Sequence, residues 1–92
     1  MSGAIDELRA RIDSVDRTIV SAVNERLRLV EALWETKRAQ GTERLDPGRE
    51  AALRAALADA NTGPLSAEGL DRLVDVLLDL MRTELAPQRN TS

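Results

Sequence analysis

The sequence predicts an all-α chain of three helices, one long, one short and one medium, paired as an intertwined helical homodimer. Three observations carry that expectation. Apolar residues recur at three- and four-residue spacing at Ile5, Leu8, Ile12, Val15, Ile19, Ala22 and Val23, then at Val30 and Leu33, which is one face of an α-helix. No proline interrupts the run, and no glycine stands between Gly3 and Gly41. Of the 92 residues 42% are hydrophobic but only 1% aromatic, Trp34 alone, the rest being mostly Leu, Ala and Val. That set supplies helices well and strands poorly.

The first helix is expected over about 5–39 after a frayed start. Residues 5–38 alone make a rod of roughly 50 Å at about 1.5 Å per residue, longer than a small domain is wide. Half of it projects past anything the remaining residues fold into, and its unbroken apolar stripe then needs a second chain to cover it. The stripe also carries a cation, Arg26, where a hydrophobe is expected, and a second, Lys37, further along. At about 100° per residue, Arg26 lies within roughly 20° of Val15 and Lys37 and roughly 40° of Val30. Glu31 and Glu35 read as solvated surface. Gln40-Gly41-Thr42 stops the helix, with Gly41 suited to a left-handed C-terminal position.

Asp46-Pro47-Gly48 starts the second helix, an N-cap acid followed by proline at the first helical position, and it is expected over 47–60. Its inner stripe is Leu53, Ala56, Leu57 and Ala60, with Arg49 one turn before Leu53 on the same side. Asn61-Thr62-Gly63-Pro64 breaks it. Ser66 caps a third helix over about 66–85, with Leu65 and Leu70 at staple spacing. The stripe there is Leu70, Leu73, Val74, Leu77, Leu78, Met81 and Leu85. Pro87 ends it and leaves 87–92 as a loose tail, so that 1–92 reads as a single helical domain.

Composition removes several chemistries. Without cysteine or histidine there is no disulfide, thiol or imidazole catalysis, and only carboxylates remain as metal ligands, so no metal site is expected. A net charge of −3 argues against a general nucleic-acid binder. No basic stretch followed by an apolar one opens the chain, and no apolar run approaches about 18 residues, so neither a signal peptide nor a membrane span is expected, and the setting expected is cytoplasmic.

An acidic chain has nevertheless placed Arg26, Lys37 and Arg49 on inward faces. Taken singly, each has a plain account: Arg26 snorkels or pairs with an acid, Lys37 favours the helix C-terminal dipole, and Arg49 is a first-turn residue with its head in water. Together, without buried acids to match, they suggest a small anionic ligand that completes the charge balance. Arginine suits bidentate contact with carboxylate or phosphate.

At this point the residues carry a resemblance. Leu8-Arg9-x-x-Ile12-Asp13-x-x-Asp16, then Arg26, Lys37 and Asp46-Pro47-x-Arg49-Glu50, resembles the all-helical (AroQ, type II) chorismate mutases, without a gap from the first helix to the start of the second. The resemblance implies an intertwined dimer whose long helices cross, with two sites built from both chains. Arg9 would enter from one chain, and Arg26, Lys37, Asp46, Arg49 and Glu50 from the other. The reaction implied is the unimolecular rearrangement of chorismate, a dicarboxylate, to prephenate in the shikimate pathway, which needs no nucleophile, metal or cofactor. The arginines would hold the dianion in its compact chair-like conformer. Lys37 would stabilise charge developing on the ether oxygen, and Glu50 would hydrogen-bond the ring hydroxyl. Glu50 also reads as a first-turn acid favoured by the helix dipole, and Asp46 as a cap.

The third helix departs from the family pattern. Many members carry a small polar residue there and, four positions later, a Gln or Glu, whereas the aligned stripes put Met81 and Leu85 at those places. A one-residue shift brings Glu84, next to Thr83, to the second position, but it also turns Arg72 inward in place of Leu73. The unshifted alignment leaves a site short of one polar contact. That is compatible with lower activity, another substrate, or completion by a partner enzyme of the shikimate pathway, as in some family members. Isochorismate pyruvate-lyase and 4-amino-4-deoxychorismate mutase share the anion grip and rank below chorismate mutase. A non-catalytic helical dimer is the reading from a different class.

Overall fold

The structure, a computed structural model, describes residues 3–41 and 47–85. They form α1 (Gly3–Gln40), α2 (Pro47–Ala60) and α3 (Ala67–Glu84), and no strand occurs among the described residues. The tail expected at 87–92 lies outside them.

α1 runs for 38 residues without a break, because nothing between its glycines opposes the helix. Lys37 and Arg38 in its last turn complement the dipole. Gly41 then turns the chain at φ 73°, with its amide donating to the Arg38 carbonyl at 3.1 Å. A residue with a Cβ is strained at that angle, so glycine is what permits the stop. α3 starts on Ser66, whose Oγ accepts from the Gly69 amide at 2.9 Å. The Leu65 side chain lies across Gly69, where an added Cβ would stand 2.9 Å from Leu65 Cδ1. The turn before it is held by Asn61, whose side-chain amide donates to the Leu65 carbonyl at 2.9 Å.

α3 is the central element. Both α1 and α2 pack against it, and α1 and α2 do not pack on each other among the described residues. Among the described residues the buried hydrophobics, Leu70, Val74 and Met81, all belong to α3. α1, by contrast, buries no residue. Ile5, Leu8, Ile12, Val15 and Ile19 stand 54–57% exposed along one face of it. The result is elongated, 60 × 35 × 18 Å, with a radius of gyration of 17.3 Å against about 12 Å for a compact chain of this length.

Candidate functional site

Arg26 lies on the stripe of α1 that meets α3. Ile19, Ala22, Val23 and Arg26 of α1 and Leu73 and Leu77 of α3 line an apolar groove of about 230 Å³. Arg26 is half-buried, and its Nη1 is buried with no hydrogen-bond partner among the described residues. A charged donor in that state is costly by roughly 1–3 kcal/mol or more, and an incoming anion removes the cost. Arg26 is also compatible with its place in an apolar stripe because its methylenes pack while the head seeks an acceptor.

Lys37, one of the other expected cations, is half-buried in the last turn of α1. It stands about 16 Å along the axis from Arg26, so two long side chains can address opposite ends of one small molecule. Arg9 is exposed and about 26 Å up the axis on the other side of Arg26, beyond the reach of its own chain's groove. Asp46 lies outside the described residues.

Arg49 and Glu50 open α2. Arg49, expected to face inward with Leu53, is exposed, and among the described residues α2 packs on α3 and not on α1, so no α1 face is turned toward it. Leu53 and Leu57, further along α2, are half-buried. Glu50, in the same turn as Arg49, is also exposed. On α3, Met81 is 3% exposed and Glu84 and Arg72 are exposed, while Leu73, expected on the inner stripe, lines the groove but stays 47% exposed.

Sequence reasoning passed over Arg54. Its Nε and Nη2 donate to Glu50 Oε2, each at 3.4 Å, its Nη1 pairs with Asp71 at 3.6 Å, and its Nη2 with Asp75. The Arg54 pKa is raised above its ordinary value, first by the hydrogen bond to Asp75. Its charge is therefore constant across any working pH. The signal was present in part: Glu50 precedes Arg54 by one turn, and Asp71 and Asp75 stand one turn apart. Ion pairs such as Arg28–Glu25 at 3.2 Å and Arg82–Asp79 at 3.5 Å are exposed and contribute little. Among the described residues no helix is long and apolar enough to cross a membrane.

Comparison with known proteins identifies the family. A family model described as "Chorismate mutase type II" matches residues 8–84, from the first stripe leucine of α1 to the end of α3. "Bifunctional chorismate mutase/prephenate dehydratase" of Neisseria gonorrhoeae (strain ATCC 700825 / FA 1090) is 39% identical over an alignment of 77 residues that covers 79% of this chain and 21% of that protein. The chain thus spans about a fifth of the length of this curated relative. With the family match running through all three helices, the chain belongs to the chorismate mutase type II (AroQ) family.

Proposed function

We propose that the chain is a chorismate mutase, an isomerase that converts chorismate to prephenate in sites shared by two copies of the chain. The observation that carries the reading is the buried, unpartnered Nη1 of Arg26 beside the α1–α3 groove. A substrate carboxylate supplies the acceptor that this nitrogen lacks, and a planar guanidinium holds it in one orientation.

The dimer follows from the same helix. Among the described residues the buried hydrophobics are Leu70, Val74 and Met81, few for helices of this total length, while the α1 stripe lies open. Five stripe side chains more than half exposed leave about 1 kcal/mol each to be gained on burial, or about 10 kcal/mol for two chains, comparable to the whole stability of a small domain. Crossing of the two long helices also brings Arg9 of the second copy to the groove that its own chain cannot reach. Residues 1–92 act as one domain in this arrangement, in the cytoplasm.

Catalysis needs two tasks from these residues. Arg26, Arg49 and Arg9 of the second copy grip the two carboxylates and hold the flexible dianion compact, so that the reacting carbons meet. As the C–O bond breaks, negative charge grows on the ether oxygen, and the Lys37 ammonium stabilises it. Glu50 accepts a hydrogen bond from the ring hydroxyl, and Asp46 borders the same site. No proton has to be moved, no nucleophile is used, and no cofactor is required. A partner enzyme acting on prephenate is supported by the relative, whose name joins the two activities in one protein.

One observation favours a second reading. Met81 is buried and Glu84 is exposed, so α3 offers no polar side chain at the place where many family members have one. This keeps a non-catalytic dimer in view. The test is loss of chorismate absorbance with product identification, run beside isochorismate and 4-amino-4-deoxychorismate. Prephenate as the product of chorismate is expected. Pyruvate released from isochorismate, or rearrangement of the amino compound alone, moves the chain to those activities, and no turnover at high enzyme concentration leaves the non-catalytic dimer.

A further inference from the structure

Glu50 stands in the first turn of α2 with its side chain about half exposed, 51%. A glutamate in that setting samples several rotamers unless something holds it. Arg54 does so from one turn further along, with two nitrogens on Glu50 Oε2, while the remaining face of the guanidinium is taken by Asp71 and Asp75 of α3. We propose that Arg54 is a positioning residue for the reaction, pinning the Glu50 carboxylate and the first turn of α2 against α3. The inference rests on the chorismate mutase reading above, in which Glu50 receives the substrate's ring hydroxyl.

The geometry asks for arginine specifically. Three carboxylates approach one side chain from two helices, and only a fork with several fixed N–H groups can address all of them together. A lysine ammonium is a point charge on a flexible stem and keeps the closest of these pairs, not the set. Exposed pairs of this kind add little to stability. Their larger consequence is orientation. Asp71 and Asp75 fix Arg54 relative to α3, and Arg54 in turn fixes Glu50, so α3 sets the direction from which the hydroxyl is received. α3 thereby contributes to the site through Arg54 although Met81 and Leu85 offer it no polar contact.

The test is steady-state kinetics of the full chain with chorismate for Arg54→Gln, Arg54→Lys, Glu50→Gln and the Glu50→Gln/Arg54→Gln pair. Arg54→Gln should lower kcat/KM about tenfold, the worth of roughly one charge-assisted hydrogen bond, mostly through KM. Arg54→Lys should recover part of that loss. In the Glu50→Gln background the Arg54→Gln change should cost almost nothing more, because the two act through one contact. A purely structural arginine gives the same loss in both backgrounds, and that result overturns the proposal, as does wild-type kinetics in a folded Arg54→Gln chain. Should Arg54→Gln fail to fold, Arg54→Lys in the two backgrounds makes the same comparison. A wild-type chain that turns over no chorismate removes the reading and the positioning role together. That outcome is distinct from turnover without the non-additivity.

Discussion

Replacing Arg26 by leucine separates ligand binding from folding at one position. In the free protein the change removes a buried Nη1 that has no partner and extends the apolar lining of Ile19, Ala22, Val23, Leu73 and Leu77. Relieving an unsatisfied buried donor is worth about 1–3 kcal/mol, and replacing buried charge by a well-packed hydrophobe is commonly neutral or stabilising. For a chain of this length each kcal/mol moves the midpoint by roughly 4–8 °C, so Arg26→Leu should raise Tm by on the order of 5 °C. Protein concentration must be held constant, because the midpoint of the proposed dimer depends on it. Under the proposed function the same change also removes a charged contact to the substrate, worth about 2–5 kcal/mol, so kcat/KM should fall by roughly 30- to 4,000-fold. Differential scanning calorimetry and the chorismate assay read the two effects separately. A fall in Tm would refute the reasoning, since it would mean that an acid, from the second copy or elsewhere, holds Arg26 in the free protein. Retained activity would place the carboxylate grip on other residues.

Three further outcomes are expected. Lys37→Ala should lower kcat by about 10²–10³-fold with an unchanged far-UV circular dichroism spectrum, and a rate near wild type would remove Lys37 from the ether oxygen. Ile12→Asp places a charge on the 57% exposed apolar stripe of α1, and if that stripe is the seam of the proposed dimer, sedimentation should show monomer or unfolded chain where the wild type sediments as a dimer. A dimer of wild-type sedimentation coefficient would mean that the α1 stripe is not the interface. Ser66→Ala deletes the acceptor of the Gly69 amide and should cost about 1 kcal/mol per chain, with Tm lower by roughly 4–8 °C at equal concentration. An unchanged Tm would show that water replaces the cap without loss.

Helices and their ends were legible because they are decided within a few residues. The uninterrupted three- and four-residue spacing of α1, the left-handed glycine at 41 and the serine at 66 each act on their own turn of backbone. Arg26 was legible as an anomaly for the same reason, since helical period alone puts a cation among hydrophobes. What the period does not contain is which face meets which. Arg26, with its buried Nη1, shares a groove with Leu73 and Leu77 of another helix, and Arg49 is exposed on a helix that among the described residues packs on α3 and not on α1. The Glu50–Arg54 pair lay within reach of a spacing rule, but its link to Asp71 and Asp75 exists only once α2 and α3 are packed. Met81 was placed inward by its stripe, and its burial on α3 was decided by the same packing. By itself the sequence determined three helices, an over-long apolar stripe and the cations Arg26, Lys37 and Arg49 on or beside apolar stripes. The tertiary structure decided which of those cations is buried and which carboxylate is held, because burial and ion pairing depend on contacts between helices far apart in the chain.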